Sequence, residues 1–145
     1  MTISYAVEND LGAEEFIDVL KRSTLAERRP VRERARIETM LENANLIVTA
    51  RTEAGLLVGV SRCLTDFAFC CYCSDLAVDA ACQGHGIGER LIEESKAAAG
   101  DRAHFFLLSA PKAVGFYEKI GMTRHPDCFE RTDWKRFADE GGDAD

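Results

Sequence analysis

At 145 residues, 46% of them hydrophobic, the chain is sized for one compact domain, a length at which folding buries roughly 68–70% of the surface the unfolded chain exposes. Eighteen Lys and Arg against twenty-five Asp and Glu leave a formal charge of -7, which opposes non-specific attraction to nucleic acid or anionic lipid and weakly favours a cationic partner. No apolar run nears the roughly 18–20 residues of a membrane span, and Met1-Thr-Ile-Ser-Tyr-Ala lacks the basic-then-apolar order of a secretory signal, so a cytoplasmic location is expected.

Ser4-Tyr-Ala-Val7 predicts a first short strand, and Phe16, Val19 and Leu20 recur at helical spacing across a first helix near 13–22. Ser23 to Arg29 is polar and reads as a connection. Pro30 suits the start of a second helix whose apolar face carries Ile37, Met40, Leu41 and Ala44. The basic cluster Arg28-Arg-Pro-Val-Arg-Glu-Arg-Ala-Arg36 breaks the acidic balance locally. With Glu33 and Glu38 beside it, it reads first as a solvated helix face and second as a site for a phosphate or an acidic substrate group.

Leu46-Ile-Val-Thr49, the turn Glu53-Ala-Gly55 and the run Leu56 to Cys63 form a hairpin pattern. After a reversal at Thr65-Asp66, a third strand is expected over Phe67 to Val78, irregular near Ser74-Asp75. Ile87, Leu91 and Ile92 then face inward on a helix that carries Glu89, Glu93, Glu94 and Lys96 outside and stops at Gly100. His104 to Leu108 is a short apolar strand, and a helical crossover makes it parallel to the preceding strand. Ser109 is expected to cap a last helix with Pro111 in its first turn and Ile120-Gly121 at its end. Met122 to Arg131 can return as one or two closing strands, and 138–145 reads as an acidic, frayed tail.

The six cysteines, Cys63, Cys70, Cys71, Cys73, Cys82 and Cys128, crowd into strand-like or turn stretches rather than spreading as a disulfide framework. Cys70 and Cys73 form a C-x-x-C without the second pair that a zinc site needs, and an extended strand points residues three apart to opposite faces. They read as small buried side chains, and no metal is expected.

The most informative segment is Cys73 to Ile92, in which an apolar strand runs into Gln83-Gly-His-Gly-Ile-Gly88 and then an amphipathic helix. Alternating glycines let main-chain N–H groups approach an anion without an intervening Cβ, and the helix aims its positive end at the same spot. A dinucleotide fingerprint fails because its third glycine would fall on Glu89. A P-loop fails because Gly88-Glu89-Arg90 stands where Gly-Lys-Ser/Thr is required. The template Q/R-x-x-G-x-G/A is met.

With that turn, the strand Leu76-Ala-Val-Asp79 before it and Phe116-Tyr-Glu-Lys-Ile-Gly-Met122 after it, the chain resembles the GNAT superfamily of N-acetyltransferases. The order of strands and helices matches over nearly the whole chain. The resemblance implies a single α/β domain over 1–137: a mixed, mostly antiparallel sheet with a central parallel pair splayed to hold coenzyme A, flanked by about four helices. It further implies acetyl-CoA as co-substrate.

In that likeness, the backbone of Gly84, His85, Gly86, Ile87 and Gly88 would hold the pyrophosphate, with Gln83 helping at the turn. Leu76, Ala77 and Val78 would pair main-chain groups with the pantetheine amides. Tyr117 takes the place of the family's general acid, and Phe116 that of packing or pantetheine wall. Ser109 stands where relatives often carry Asn. Asp75, at the end of the strand that would meet the acceptor, is the candidate general base or ammonium-binding carboxylate; amino-sugar-phosphate acetyltransferases with an E-D-I-A-V strand resemble it locally, although Ser74 replaces their Glu. A base is needed because an amine of pKa about 10 costs roughly 4 kcal/mol to neutralise at pH 7, and a water chain or a backbone carbonyl could serve instead.

The activity implied is direct transfer of acetyl to a primary amine, most simply of a small molecule. The alternatives are a protein or peptide N-acetyltransferase and a non-catalytic acyl-CoA sensor or interaction protein. Neither nucleic acid nor membrane is an expected partner, and a homodimer is left open.

Overall fold

The computed structural model describes residues 1–137; the expectation for the 138–145 tail lies outside them. Its frame is the strand β3 (Leu57–Thr65), buried on both faces over most of its length because every second residue meets a different helical layer. Antiparallel β2 (Leu46–Thr52) flanks it on one side and β4 (Cys70–Val78) on the other; β1 (Ile3–Val7) extends the sheet beyond β2. A short β5 (His104–Leu107) pairs with β4 in parallel, giving the order β1-β2-β3-β4-β5. The parallel pair therefore lies at the end of the sheet rather than inside it.

One face is covered by α1 (Ala13–Ser23) and α2 (Arg34–Asn43). Phe16, Val19 and Leu20 of α1 and Ile37 and Leu41 of α2 close over Ile47, Leu57, Val60 and Ala77. Glu14 and Glu15 in the first turn of α1 and Lys21 and Arg22 in its last suit the helix dipole. Pro30 does not open α2. It is buried in the connection after a 3-10 turn at Leu25–Arg28, and the helix begins at Arg34. The other face is covered by α3 (Ile87–Ala99), whose Ile87 and Leu91 pack on Val48, Ala50, Val58, Cys63, Cys71 and Cys73. Gly100 ends α3 with φ +97°, as its sequence position predicts.

Three expectations change. β4 starts at Cys70 rather than Phe67, because the Asp66 carboxylate accepts the N–H groups of Ala68, Phe69 and Cys70 at 2.8 to 3.0 Å and holds that stretch as a turn. Those donors pull Asp66 down to about 2. Ser109 does not cap α4 (Val114–Lys119): its hydroxyl donates to the Ala110 carbonyl at 2.7 Å, and a 3-10 turn at Pro111–Ala113 leads in instead. No closing strand forms among the described residues after Leu107. The segment near 135–136 instead crosses to α2, where the Arg36 guanidinium donates to the carbonyls of Arg136 and Lys135. No helix among the described residues is long and apolar enough to cross a membrane.

The sheet and α3 approach most closely at Gly59, where an added Cβ would lie 3.0 Å from Leu91 Cδ1, 3.1 Å from Ile87 Cγ2 and 3.3 Å from Ala50 Cβ. Gly59→Val should therefore lose about 1–3 kcal/mol by overpacking. Urea unfolding monitored by circular dichroism measures this, and a midpoint equal to the unsubstituted protein's would disprove the close approach.

Candidate active site

The site grows from one irregularity. Arg62 of β3 faces Asp75 and Cys63 faces Cys73, so Ser74 is an extra residue in β4. A bulge of this kind shifts the alternation of side chains by one. Before it, Cys71 and Cys73 point to the α3 layer; after it, Ala77 joins the layer of α1 and α2. Asp75 is thereby turned to the α1 and α2 side, where two arginines wait.

Asp75 is fully buried, and each of its oxygens accepts from a guanidinium Nε, Oδ1 from Arg29 and Oδ2 from Arg62. The same two side chains grip the bulge itself: Arg29 Nη2 donates to the Ser74 carbonyl at 2.7 Å and Arg62 Nη2 to the Ser74 hydroxyl at 2.9 Å. Arg62 Nη1 reaches the Met40 carbonyl at 3.3 Å, which ties α2 to the same knot. A carboxylate with no exposed surface and both oxygens engaged meets no acceptor amine, so the geometry gives Asp75 a holding function in place of the open base that the sequence led us to expect.

The bulge also ends the pairing with β5. The parallel ladder runs from Cys70 facing His104 to Cys73 facing Leu107 and stops there, leaving the outer edge of 74–78 without a strand partner among the described residues. Leu76 and Val78 are half-buried and Ala77 is buried, so what this edge presents is chiefly main chain. An extended amide-bearing molecule could add to it as a strand does.

That edge leads to the glycine turn. Gly84 (φ +85°) and Gly86 (φ +76°) are left-handed, and a Cβ at either would meet nothing within 4 Å, so the space above them is open. Gly88 differs. A Cβ there would lie 3.0 Å from the Phe116 ring, so this glycine makes room for an aromatic rather than for a ligand. The Gln83 amide donates to the Val78 carbonyl at 3.3 Å and fastens the turn to the strand end. His85 is exposed and its Nδ1 lies 3.1 Å from the Cys82 carbonyl and 3.2 Å from that of Gln83; the Ile87 side chain is core, which leaves its main chain to face a ligand. Open N–H groups, a helix start and an unpaired strand edge in line fit a nucleotide with a long amide-bearing arm, such as coenzyme A.

Phe116 and Tyr117 of α4 stand edge to face, ring centroids 5.1 Å apart. Burial, with Cys73 adding to it, pushes the Tyr117 phenol up to about 12, while Arg29 pulls the other way. Tyr117 is thus near enough to Cys73 of β4 and to Arg29 of the knot to feel the charge of both. Ser109 is half-buried in the connection after β5.

Behind the bulge lies a thiol and hydroxyl chain. Ser95 donates to Ser61 at 2.8 Å, and the Ser61 hydroxyl is 3.4 Å from Cys63 Sγ and 3.5 Å from Cys73 Sγ. Hydrogen bonding to Cys73 pulls Cys63 down, and Cys73 is pushed up by the same contact and by burial. Cys70 is exposed while Cys73 is buried, and all six cysteines are free. Among the described residues no group of three or more His, Cys, Asp or Glu is arranged to hold a metal ion.

Arg29 and Arg62 were not among the residues singled out from the sequence. Arg29 did stand in the basic cluster, in which Arg34 pairs with Glu38 and Arg36 with Glu33.

A family model described as an acetyltransferase (GNAT) domain matches residues 7–137. Serotonin N-acetyltransferase 2, chloroplastic, of Oryza sativa subsp. japonica is 29% identical over 104 residues, 68% of this chain and 52% of its own length. The GCN5-related N-acetyltransferase 2, chloroplastic, of Arabidopsis thaliana is 30% identical over 80 residues, 54% of this chain and 31% of its own. The chain thus spans about half the length of the first of these relatives and less of the second. Among solved structures, a GNAT-family acetyltransferase of Streptococcus pneumoniae superposes with a TM-score of 0.74 at 21% identity, over 93% of this chain and 99% of that one.

Removing the carboxylate from the knot leaves two guanidiniums buried against each other. Asp75→Ala should lose about 3–5 kcal/mol of stability, read as a lowered denaturation midpoint. A loss under about 1 kcal/mol, the size of a surface pair, would show that the knot is not buried as described.

Proposed function

Because the chain belongs to the GNAT acetyltransferase family, we propose that it transfers acetyl from acetyl-CoA to the primary amine of a small molecule by direct attack, with Tyr117 as general acid. The observation that carries this reading is the parting of β4 and β5 at the bulge, with the unpaired edge of 74–78 leading to the open turn at Gly84 and Gly86.

The acetyl thioester supplies an activated acyl group and a thiolate leaving group. The protein supplies the rest. The turn over 84–88 would hold the pyrophosphate with main-chain N–H groups, and the 76–78 edge would align the pantetheine arm. A main-chain N–H beside the bulge would polarise the thioester carbonyl, an effect worth about 3–4 kcal/mol per donor in related chemistry. Tyr117, with its phenol near 12, keeps its proton at neutral pH and is ready to donate it. Acceptor deprotonation would fall to a water chain or a backbone carbonyl, since Asp75 is engaged by Arg29 and Arg62.

The relatives that carry amine acetyltransferase names are in keeping with an amine acceptor. The six free thiols suit a reducing compartment, and the proposal places the reaction in the cytoplasm.

The test is release of the coenzyme A thiol from acetyl-CoA in the presence of polyamines, amino sugars, aminoglycosides, amino acids and lysine peptides. Tyr117→Phe should lower kcat about a hundredfold with little change in the KM for acetyl-CoA; an unchanged kcat removes Tyr117 from the mechanism. Gly86→Val, which places a branched side chain on a left-handed residue facing the open turn, should abolish coenzyme A binding by calorimetry, and normal binding would contradict the cradle. On the pH axis, kcat should show no fall from Tyr117 ionisation below about pH 10, two units under its value near 12. An alkaline limb titrating near pH 8 and lost in Tyr117→Phe would overturn that assignment.

A further inference from the structure

The arginine knot holds more positive charge than it neutralises. Two guanidiniums share one carboxylate, an imbalance of one positive charge. Arg62 spends its contacts on Asp75, Ser74 and Met40 and keeps only 7% side-chain exposure. Arg29 is different. Of the five N–H groups on a guanidinium, it donates one from Nε to Asp75, one from Nη1 to the Arg28 carbonyl at 2.8 Å and one from Nη2 to the Ser74 carbonyl at 2.7 Å. One N–H on each terminal nitrogen remains, and the side chain keeps 21% exposure. Both terminal nitrogens of the fork therefore keep a donor for a carboxylate or phosphate.

The position of these donors matters as much as their number. Arg29 is pinned to the bulge where β4 and β5 part, and its charge reaches Tyr117 across that point. Arg28, next to it, makes no hydrogen bond or ion pair through its guanidinium among the described residues. The surplus charge therefore sits at the acceptor's end of the site, on a chain whose formal balance is -7.

Resting on the acetyltransferase reading above, we propose that Arg29 determines acceptor specificity: it binds a carboxylate or phosphate group carried by the acceptor, so that the substrate is an amine that also bears an anionic group. A purely cationic amine meets net repulsion there. An acceptor with its own anion cancels the repulsion. Asp75 and Arg62 act through Arg29 as positioning residues, fixing its fork and leaving only the two outer N–H groups to be satisfied.

The experiment pairs acceptors of equal reach: ethanolamine phosphate against ethanolamine, and β-alanine against propylamine, titrated calorimetrically into the full-length protein saturated with coenzyme A. The anionic member of at least one pair should bind about tenfold more tightly or better, as a bidentate charged pair allows. Arg29→Gln, titrated at a coenzyme A concentration that saturates the variant, should bring the two members within about twofold. Should Arg29→Gln fail to unfold cooperatively, Arg29→Lys serves in its place, keeping the charge but losing the fork and hence reducing the preference. Preference for phosphate alone or for carboxylate alone identifies which anion is read. Equal binding within both pairs, no binding by any of the four, or a preference unchanged in Arg29→Gln overturns the proposal. A binding preference that persists while no amine releases the coenzyme A thiol upholds the anion site and removes the transferase reading instead.

Discussion

The extra residue at Ser74 is the constraint on which the rest of the site depends. A strand without it would keep residues 71, 73 and 75 on one face, and Asp75 would be driven into the apolar layer under α3 beside Leu91. An unpaired carboxylate there would cost several kcal/mol. With the bulge, Asp75 turns to the opposite face and meets Arg29 and Arg62, whose guanidiniums in turn bind the carbonyl and hydroxyl of the bulged residue itself. The irregular backbone and the buried charges hold each other in place. The same irregularity ends the ladder to β5 at Cys73, so that one residue creates both the polar knot and the open strand edge.

The glycine turn shows a comparable division of labour. Gly84 and Gly86 occupy left-handed backbone with empty space above, the condition for bringing peptide N–H groups up to an anion. Gly88 lies in the helix proper and exists for packing, since the Phe116 ring rests against the place its Cβ would take. That contact joins the two sequence motifs physically: the turn at the start of α3 and the aromatic pair on α4 are one packed unit. Tyr117 is positioned by its neighbour as much as by its own contacts, because the Phe116 ring that stands edge to face with it is seated on Gly88.

What could be read from the sequence follows from how far each feature reaches along the chain. The turn Gln83 to Gly88, the helix stops at Gly100 and Gly121 and the amphipathic periods of α1 and α3 are local, and the structure has them where the residues place them. An irregularity near Ser74-Asp75 was also legible, because a polar pair interrupts an otherwise apolar strand. The partners of Asp75 were not. Arg62 is 13 positions away and Arg29 is 46, and which face Asp75 takes depends on a register that no local pattern states. The basic cluster read as a solvated face is one for Arg34, whose partner Glu38 is in helical reach, whereas Arg36 also binds the carbonyls of Lys135 and Arg136. Arg29 precedes the helix and escapes that pairing. The closing strands expected over Met122 to Arg131 had no alternating apolar pattern behind them, since that stretch is mostly polar, and the described residues there form none.

Tyr117 brings these elements to a single balance. A phenol near 12 is a poor donor to a thiolate of ordinary basicity, since the mismatch with a thiol pKa of about 8.5 amounts to roughly 5 kcal/mol uphill. The cause of the high value also narrows the gap. Burial raises the phenol, and a thiolate released at the same dry apex would be made more basic by the same loss of water. Donor and acceptor then move together, and the mismatch shrinks without any dedicated interaction. Arg29 enters with the opposite sign, pulling the phenol down from the side that faces the bulge. A guanidinium free to swing would average this influence away. Locked on Asp75 and the Ser74 carbonyl, it presents a constant field, and in the mechanism proposed above this would be the chemical use of a buried ion knot that contributes little to stability compared with well-packed apolar residues.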